Sequence, residues 1–268
     1  MKIHHGSPQW RRIVRTLGRL LFRWAENNDD ERIGHNGEHW LLREVLAAHV
    51  RAGAAQPFVL FDVGANIGTY SLLAVQEARR LGCGIEVHAF EPSPVAGDRL
   101  QGLVGHEASI KVVRVALSDR TGEAPLHAGG TGSGHASLVL RDSPDSPLAA
   151  AITVPLQRLE DYLRQNNLGR IDLLKIDVEG SEMAVLQGLG ERLDPSVVPT
   201  IQLEYGGATR DAGVTLRALE RSLTARGYLF AKLFPAALEV RAYREWMDNY
   251  SYANYVAVAP ERGWSPGP

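Results

Sequence analysis

Four carboxylates end short apolar runs in this sequence, and they are the first chemistry it offers. The run over 58–61 meets Asp62, and the run over 85–90 meets Glu91. The run over 171–176 ends at Asp177, with Glu179 two residues on, and 198–203 ends at Glu204. A carboxylate at the carboxyl end of a buried strand sits where open α/β sheets bind ligands. It can hold a cationic group, accept hydrogen bonds from a ribose, or take a proton from a substrate. Asp177 is open to two of these roles, as a partner for a ligand ammonium or as a base. Asp177, Glu179 and Glu204 together also form a set that a hard divalent cation would accept, although no metal ligand is assigned.

The turn after Asp62 narrows the ligand. Asp62-Val-Gly-Ala-Asn-Ile-Gly68 follows a strand pattern and opens a helical one. Gly64 and Gly68 let the backbone bend sharply and approach a ligand, and the helix start aims free N–H groups into the same space. A dinucleotide site wants G-x-G-x-x-G around a pyrophosphate. Here an acid stands where a pyrophosphate would be repelled. A cationic, phosphate-free nucleoside such as S-adenosylmethionine suits the site better. Glu91 lies 23 positions after Gly68, near the interval expected for a ribose-binding acid.

Three motifs in order, Asp62-Val-Gly-Ala-Asn-Ile-Gly68, Phe90-Glu-Pro-Ser-Pro94 and Lys175-Ile-Asp-Val-Glu-Gly180 followed by Glu182, resemble the FkbM-type S-adenosylmethionine-dependent methyltransferases. The resemblance runs over about 58–205 and more weakly to 255–258. It implies a Rossmann-like class I methyltransferase fold, α/β, with a seven-stranded, mostly parallel sheet, helices on both faces and an antiparallel last strand. The cofactor would be S-adenosylmethionine, leaving as S-adenosylhomocysteine. Its expected contacts are Asp62, Gly64, Ala65, Asn66, Gly68, Tyr70, Ser71, Glu91, Pro92, Ala116, Leu117 and Asp177, with Ala116 and Leu117 near the adenine. Glu38 is a weaker candidate, from a segment that in similar enzymes closes over the methionine end. The expected reaction is O-methylation of a small metabolite, natural product or saccharide.

A hydroxyl acceptor needs a general base. Asp177, Glu179, Glu204 and His135 are the eligible residues. The acids are better placed and His135 better matched in pKa. His135 belongs to a glycine-rich stretch, Gly129 to Ser137, inside a long insertion that reads as a lid or substrate loop. Lys175 alternates with Asp177 along its strand, so both should project the same way. Two other classes compete. One is a dinucleotide oxidoreductase on a similar sheet, opposed by Asp62 and the glycine spacing. The other is a non-catalytic cofactor-binding partner, opposed by the retention of all three motifs.

The elements that must position these groups are legible in outline. Residues 1–53 read as an N-terminal helical cap, 54–260 as the cofactor-binding domain and 261–268 as a loose tail. Strands are expected over 58–61, 85–90, 110–115, 171–176, 198–204, 228–234 and 254–259, with short extra strands over 123–128 and 152–156. Trp10, Ile13, Val14, Leu17, Leu20, Leu21 and Trp24 recur at helical spacing, with Arg11, Arg12, Arg15, Arg19 and Arg23 on the other face. This is expected to be a leading helix packed on the domain, its arginines in water. The alternative is a basic helix touching a membrane surface.

With 29 basic and 31 acidic residues the net charge is −2, which gives no global attraction to nucleic acid, and none is expected as a partner. The single cysteine, Cys83, cannot form an internal disulfide. No apolar run is long enough to span a bilayer and no secretory signal is apparent. Together these point to a cytoplasmic protein.

Overall fold

The computed structural model describes residues 7–127, 136–139 and 151–260. The helices are α1 (Pro8–Ala25), α2 (Glu38–Arg51), α3 (Thr69–Leu81), α4 (Pro94–Val104), α5 (Leu159–Gln165), α6 (Glu182–Gly188), α7 (Gly207–Asp211) and α8 (Leu216–Thr224). The strands are β1 (Phe58–Val63), β2 (Ile85–Phe90), β3 (Ile110–Val113), β4 (Ala116–Ser118), β5 (Gly122–His127), β6 (Ala151–Arg158), β7 (Leu173–Ile176), β8 (Thr200–Tyr205), β9 (Leu229–Phe234), β10 (Ala237–Val240) and β11 (Ala253–Val258).

The main sheet has the order β10-β9-β11-β8-β7-β1-β2-β3. β3, β2, β1, β7 and β8 run parallel, and β11 inserts antiparallel between β8 and β9. Seven of these strands make the sheet of a class I methyltransferase fold. The eighth, β10, is a short edge strand that hairpins back along β9 through Pro235 and Ala236.

Period-two alternation divides the core between the two faces of the sheet. Phe61, Val63, Leu174, Ile176, Ile201 and Leu203 pack with α5, α6 and α8. Phe58, Leu60 and Leu173 pack on the other face with Leu41, Leu42, Val45 and Leu46 of α2 and Ala74, Val75 and Ala78 of α3. Asp62, Lys175, Asp177, Gln202 and Glu204 are in phase with this second set, so the sheet carries its polar residues on the α2–α3 side. Helix starts follow local chemistry. Ser93 accepts the N–H of Ala96 in front of Pro94, and Thr215 accepts that of Ala218.

Two expectations are corrected. The third strand stops at Val113, and Ala116 to Ser118 form β4 in a separate sheet of order β4-β6-β5. The expected extra strands supply β5 and β6, and they pull β4 away from the main sheet. Leu117 is buried in the core cluster that holds Phe90 and Tyr162. The leading helix does not pack on the domain. None of the residues of α1 is buried, and its apolar stripe faces solvent.

Candidate active site

Three strand ends build the site side by side. Asp62 is in register with Ala89 of β2 and Lys175 of β7. The bend after β1 is tied on both flanks. Gly64 and Ala65 donate their N–H groups to the Phe90 carbonyl at 3.0 and 2.9 Å, and Asp177 donates its N–H to the Val63 carbonyl at 2.9 Å. The three motifs are therefore one hydrogen-bonded surface, although more than a hundred residues separate the first from the last.

Gly64 takes φ +86°, and a Cβ there would overlap the Asp177 carbonyl oxygen. Only glycine lets the bend lie against the end of β7. Gly64→Ala is expected to cost about 2–3 kcal/mol, from a left-handed alanine plus backbone displacement. A lowered urea midpoint with unchanged m-value would register it. Asn66 and Glu179 also take left-handed φ values, 50° and 51°, which side chains rarely adopt outside tight turns.

Asp62 is fully buried rather than open at the crevice. Its Oδ2 accepts from the Ser71 hydroxyl at 2.7 Å, so Ser71 serves Asp62 first. Its Oδ1 has no hydrogen-bond partner and lies 3.9 Å from the Lys175 ammonium. Burial raises the Asp62 pKa, against the pull of Lys175 and the Ser71 hydrogen bond. Lys175 is itself buried and donates to Asp177 at 2.8 Å. Burial works against its charge, yet Asp177, Asp62 and Glu38 hold its pKa well above the usual value. The alternation expected of Lys175 and Asp177 is thus realised. The Lys175 ammonium also lies 5.2 Å from the Tyr70 ring centroid. The Tyr70 hydroxyl is buried with no hydrogen-bond partner.

Asp177 is the member of this group that a ligand can reach: its side chain is 33% exposed against 6% for Lys175. Burial and the neighbouring Asp177 push the Glu204 carboxyl pKa well above the ordinary range, and the two side chains hydrogen-bond. Asp177 and Glu204 therefore bind and release protons as a linked pair. Glu179 is half-buried, and its carbonyl accepts from the Ser137 hydroxyl at 2.6 Å. That bond ties the turn to a described fragment of the insertion. His135 lies outside the described residues. Asp177, Glu179 and Glu204 do not meet in metal-holding geometry: no group of three or more His, Cys, Asp or Glu does so among the described residues.

Glu91 caps the bend from the β2 side. Its two oxygens accept the N–H groups of Asn66 at 2.9 Å and Ser93 at 2.8 Å. Burial raises its pKa to about 7. Each oxygen retains a lone pair for a ligand hydroxyl, and Pro92 follows half-buried.

Sequence reasoning singles out Glu38 but misses its hydrogen-bond partners, and it misses a role for Glu182. Glu38 at the start of α2 is buried and accepts from Gln202 at 2.6 Å and Asn36 at 2.9 Å. Asn36 and Asn254 each donate to the Tyr252 hydroxyl at 3.3 Å. The signal for Gln202 was present: it stands between the apolar Ile201 and Leu203, two residues before Glu204 and on the same face. The partners on the N-terminal segment gave no such signal.

The other omission is a role for Glu182. Its Oε1 accepts the Gly180 N–H at 3.0 Å, and its Oε2 is buried without a partner. Burial raises its pKa to about 7, from 4.5 in an exposed carboxyl, against the hydrogen bond from Gly180. The folded state therefore holds this proton more tightly than the unfolded chain. The stabilisation is complete below pH 4.5 and is lost as pH rises through about 7. Glu182→Gln is expected to flatten the fall in melting temperature between those limits, an effect on the order of 3 kcal/mol. An unchanged pH profile would show that the buried carboxyl is not titrating.

Comparison with known proteins matches residues 62–230 to the methyltransferase FkbM domain. The chain belongs to the FkbM methyltransferase family. The FkbM domain begins at the strand-end acid Asp62 and contains all three motifs. Methyltransferase sdnD of Sordaria araneosa is 33% identical over 183 residues, covering 57% of this chain and 69% of that protein. The 31-O-demethyl-FK506 methyltransferase FkbM of Streptomyces tacrolimicus is 34% identical over 159 residues, 49% of this chain and 59% of that protein. The 2-O-methyltransferase NoeI of Sinorhizobium fredii is 31% identical over 151 residues, 50% of this chain and 58% of that protein. The chain thus spans less than two thirds of the length of two of these three FkbM-type relatives.

Proposed function

We propose that this chain is an S-adenosylmethionine-dependent O-methyltransferase acting on a hydroxyl of a small metabolite, natural product or saccharide. One observation carries the reading. Asp62, Glu91 and Asp177 converge on the glycine bend, and Asp177 stays reachable from solvent above the buried Asp62. That surface suits a cationic, phosphate-free nucleoside and opposes a pyrophosphate. The names of two relatives supply the acceptor class, since each specifies methylation at an oxygen.

S-adenosylmethionine, when bound, supplies an electrophilic methyl group on a sulfonium. The residues proposed to hold it are Gly64, Ala65, Asn66 and Gly68 at the bend, Glu91 at the ribose hydroxyls, and Asp177 at the ammonium end. Asp62 with Ser71, and Lys175 beneath the Tyr70 ring, set the charge under that end. In this reading they act through Asp177 rather than by contact. Glu38 closes the same end from α2. Ala116 lies beside the adenine edge, with Leu117 packed behind it. The Asp177–Glu204 pair takes the hydroxyl proton of the acceptor, and Glu179 lines the same turn. Methyl transfer then needs only that the acceptor oxygen be held in line.

Calorimetric titration of the full chain with S-adenosylmethionine, S-adenosylhomocysteine and NAD tests the cofactor. Saturable binding of the first two, and none of the third, is expected. Binding of NAD alone would sink the reading. A mass screen of hydroxylated metabolites and glycans for one added methyl group, with and without a chelator, then tests the acceptor and any metal requirement.

A further inference from the structure

We propose that α1 is an interfacial helix that lays its apolar stripe into an anionic membrane surface. Trp10, Ile13, Val14, Leu17, Leu20, Leu21 and Trp24 fall within one face at helical spacing. All of them are exposed, Leu21 by 66% and Trp24 by 84%. Seven large apolar side chains lined up in water form a continuous patch of the kind that marks an interaction surface.

The partner's chemistry comes from the other face. Arg11, Arg12, Arg15, Arg19 and Arg23 lie there, and α1 contains no acidic residue. Arg23 is paired with Asp29 beyond the helix, but the face as a whole is cationic, and a cationic face beside an apolar stripe selects an anionic surface. Arginine stems reach around a helix so that the guanidinium groups sit at headgroup depth. Trp10 and Trp24, near the two ends, suit the same polar–apolar boundary. At 18 residues the helix is about 27 Å long. No helix among the described residues is long and apolar enough to cross a membrane, so α1 would lie along the surface.

The body of the protein holds α1 in place without covering the stripe. Phe22 falls on the arginine side and meets Trp246 edge-on, with centroids 5.7 Å apart. Arg23 pairs with Asp29 at 2.7 Å. Beyond the last turn, Glu26 accepts from Arg241 at 2.7 Å and Lys232 at 3.2 Å, and Lys232 donates to Asn28 at 2.6 Å. Lys232 is buried, so this clamp is part of the fold. The stripe therefore points away from the domain from a fixed root.

Sedimentation of the full chain with vesicles tests the proposal. Vesicles of phosphatidylcholine with phosphatidylglycerol are expected to bind at least tenfold more protein than phosphatidylcholine alone, and less as salt rises. Arg15→Gln and Arg19→Gln should each weaken binding to the anionic vesicles about fivefold. Leu17→Glu with Leu21→Glu should abolish binding without lowering the melting temperature, because both side chains are exposed. Equal binding to both vesicle types, or none to either, would overturn the proposal. So would a solution dimer, seen by light scattering, that Leu17→Glu dissolves while vesicle binding is absent; the stripe would then be a self-association face. The outcome is independent of methyl transfer.

Discussion

Lys175→Met is expected to lower folding stability by about 3–5 kcal/mol at pH 7, the range for removing one partner from a buried charge cluster. Lys175 is the cation that faces Asp62, 3.9 Å away, and Asp62 is fully buried. Methionine fills the volume but leaves that carboxylate deep in the α2–α3 face with only the Ser71 hydroxyl. The surrounding acids make this worse, since Glu38 and Asp177 also draw on the same ammonium. The pH dependence identifies the cause. Without Lys175 the Asp62 carboxyl binds its proton still more tightly in the folded state. The variant's deficit should therefore shrink as pH falls from 7 toward 5 and grow as it rises. Urea midpoints across that interval measure it. A deficit that is the same at every pH would mean lost packing, not an uncompensated charge.

Asp177→Asn is expected to lower kcat by about 10²–10⁴-fold, the usual contribution of a positioned base. The same change should cost less stability than Lys175→Met, because Asp177 is a third exposed, asparagine still accepts from Lys175, and Asp62 remains as its counterion. Glu204 supplies the control. Its raised pKa places the proton of the pair above the ordinary carboxylate range. The wild-type rate should rise with pH as that proton leaves, and Glu204→Gln should remove the rising limb. The two roles open to Asp177 separate here. Loss confined to S-adenosylmethionine affinity, with kcat preserved, would make Asp177 a ligand for the ammonium and leave the base to Glu179 or His135.

The division between what was readable in the chain and what was not follows from the range of the interactions. The bend after Asp62, the acids closing β1, β2 and β7, and the Lys175–Asp177 pair rest on local rules of strand period and glycine geometry. They were legible residue by residue, and the motifs that carry them identified the family. Ala116 and Leu117 illustrate a limit: their segment reads as the end of the third strand, but pairing with a distant β6 claims it for a second sheet. No local period encodes that competition.

The primary structure by itself determined which side chains carry charge at the strand ends and where the backbone can bend, because those depend on neighbours in sequence. Tertiary packing alone decided that Asp62 is sealed beneath the crevice while Asp177 stays reachable, and that Glu38 arrives from α2 to meet Gln202 at 2.6 Å. It also left α1 uncovered, although an amphipathic pattern cannot say whether its apolar face meets protein or water. Burial and electrostatic coupling are properties of surfaces brought together from far along the chain, and sequence spacing does not contain them.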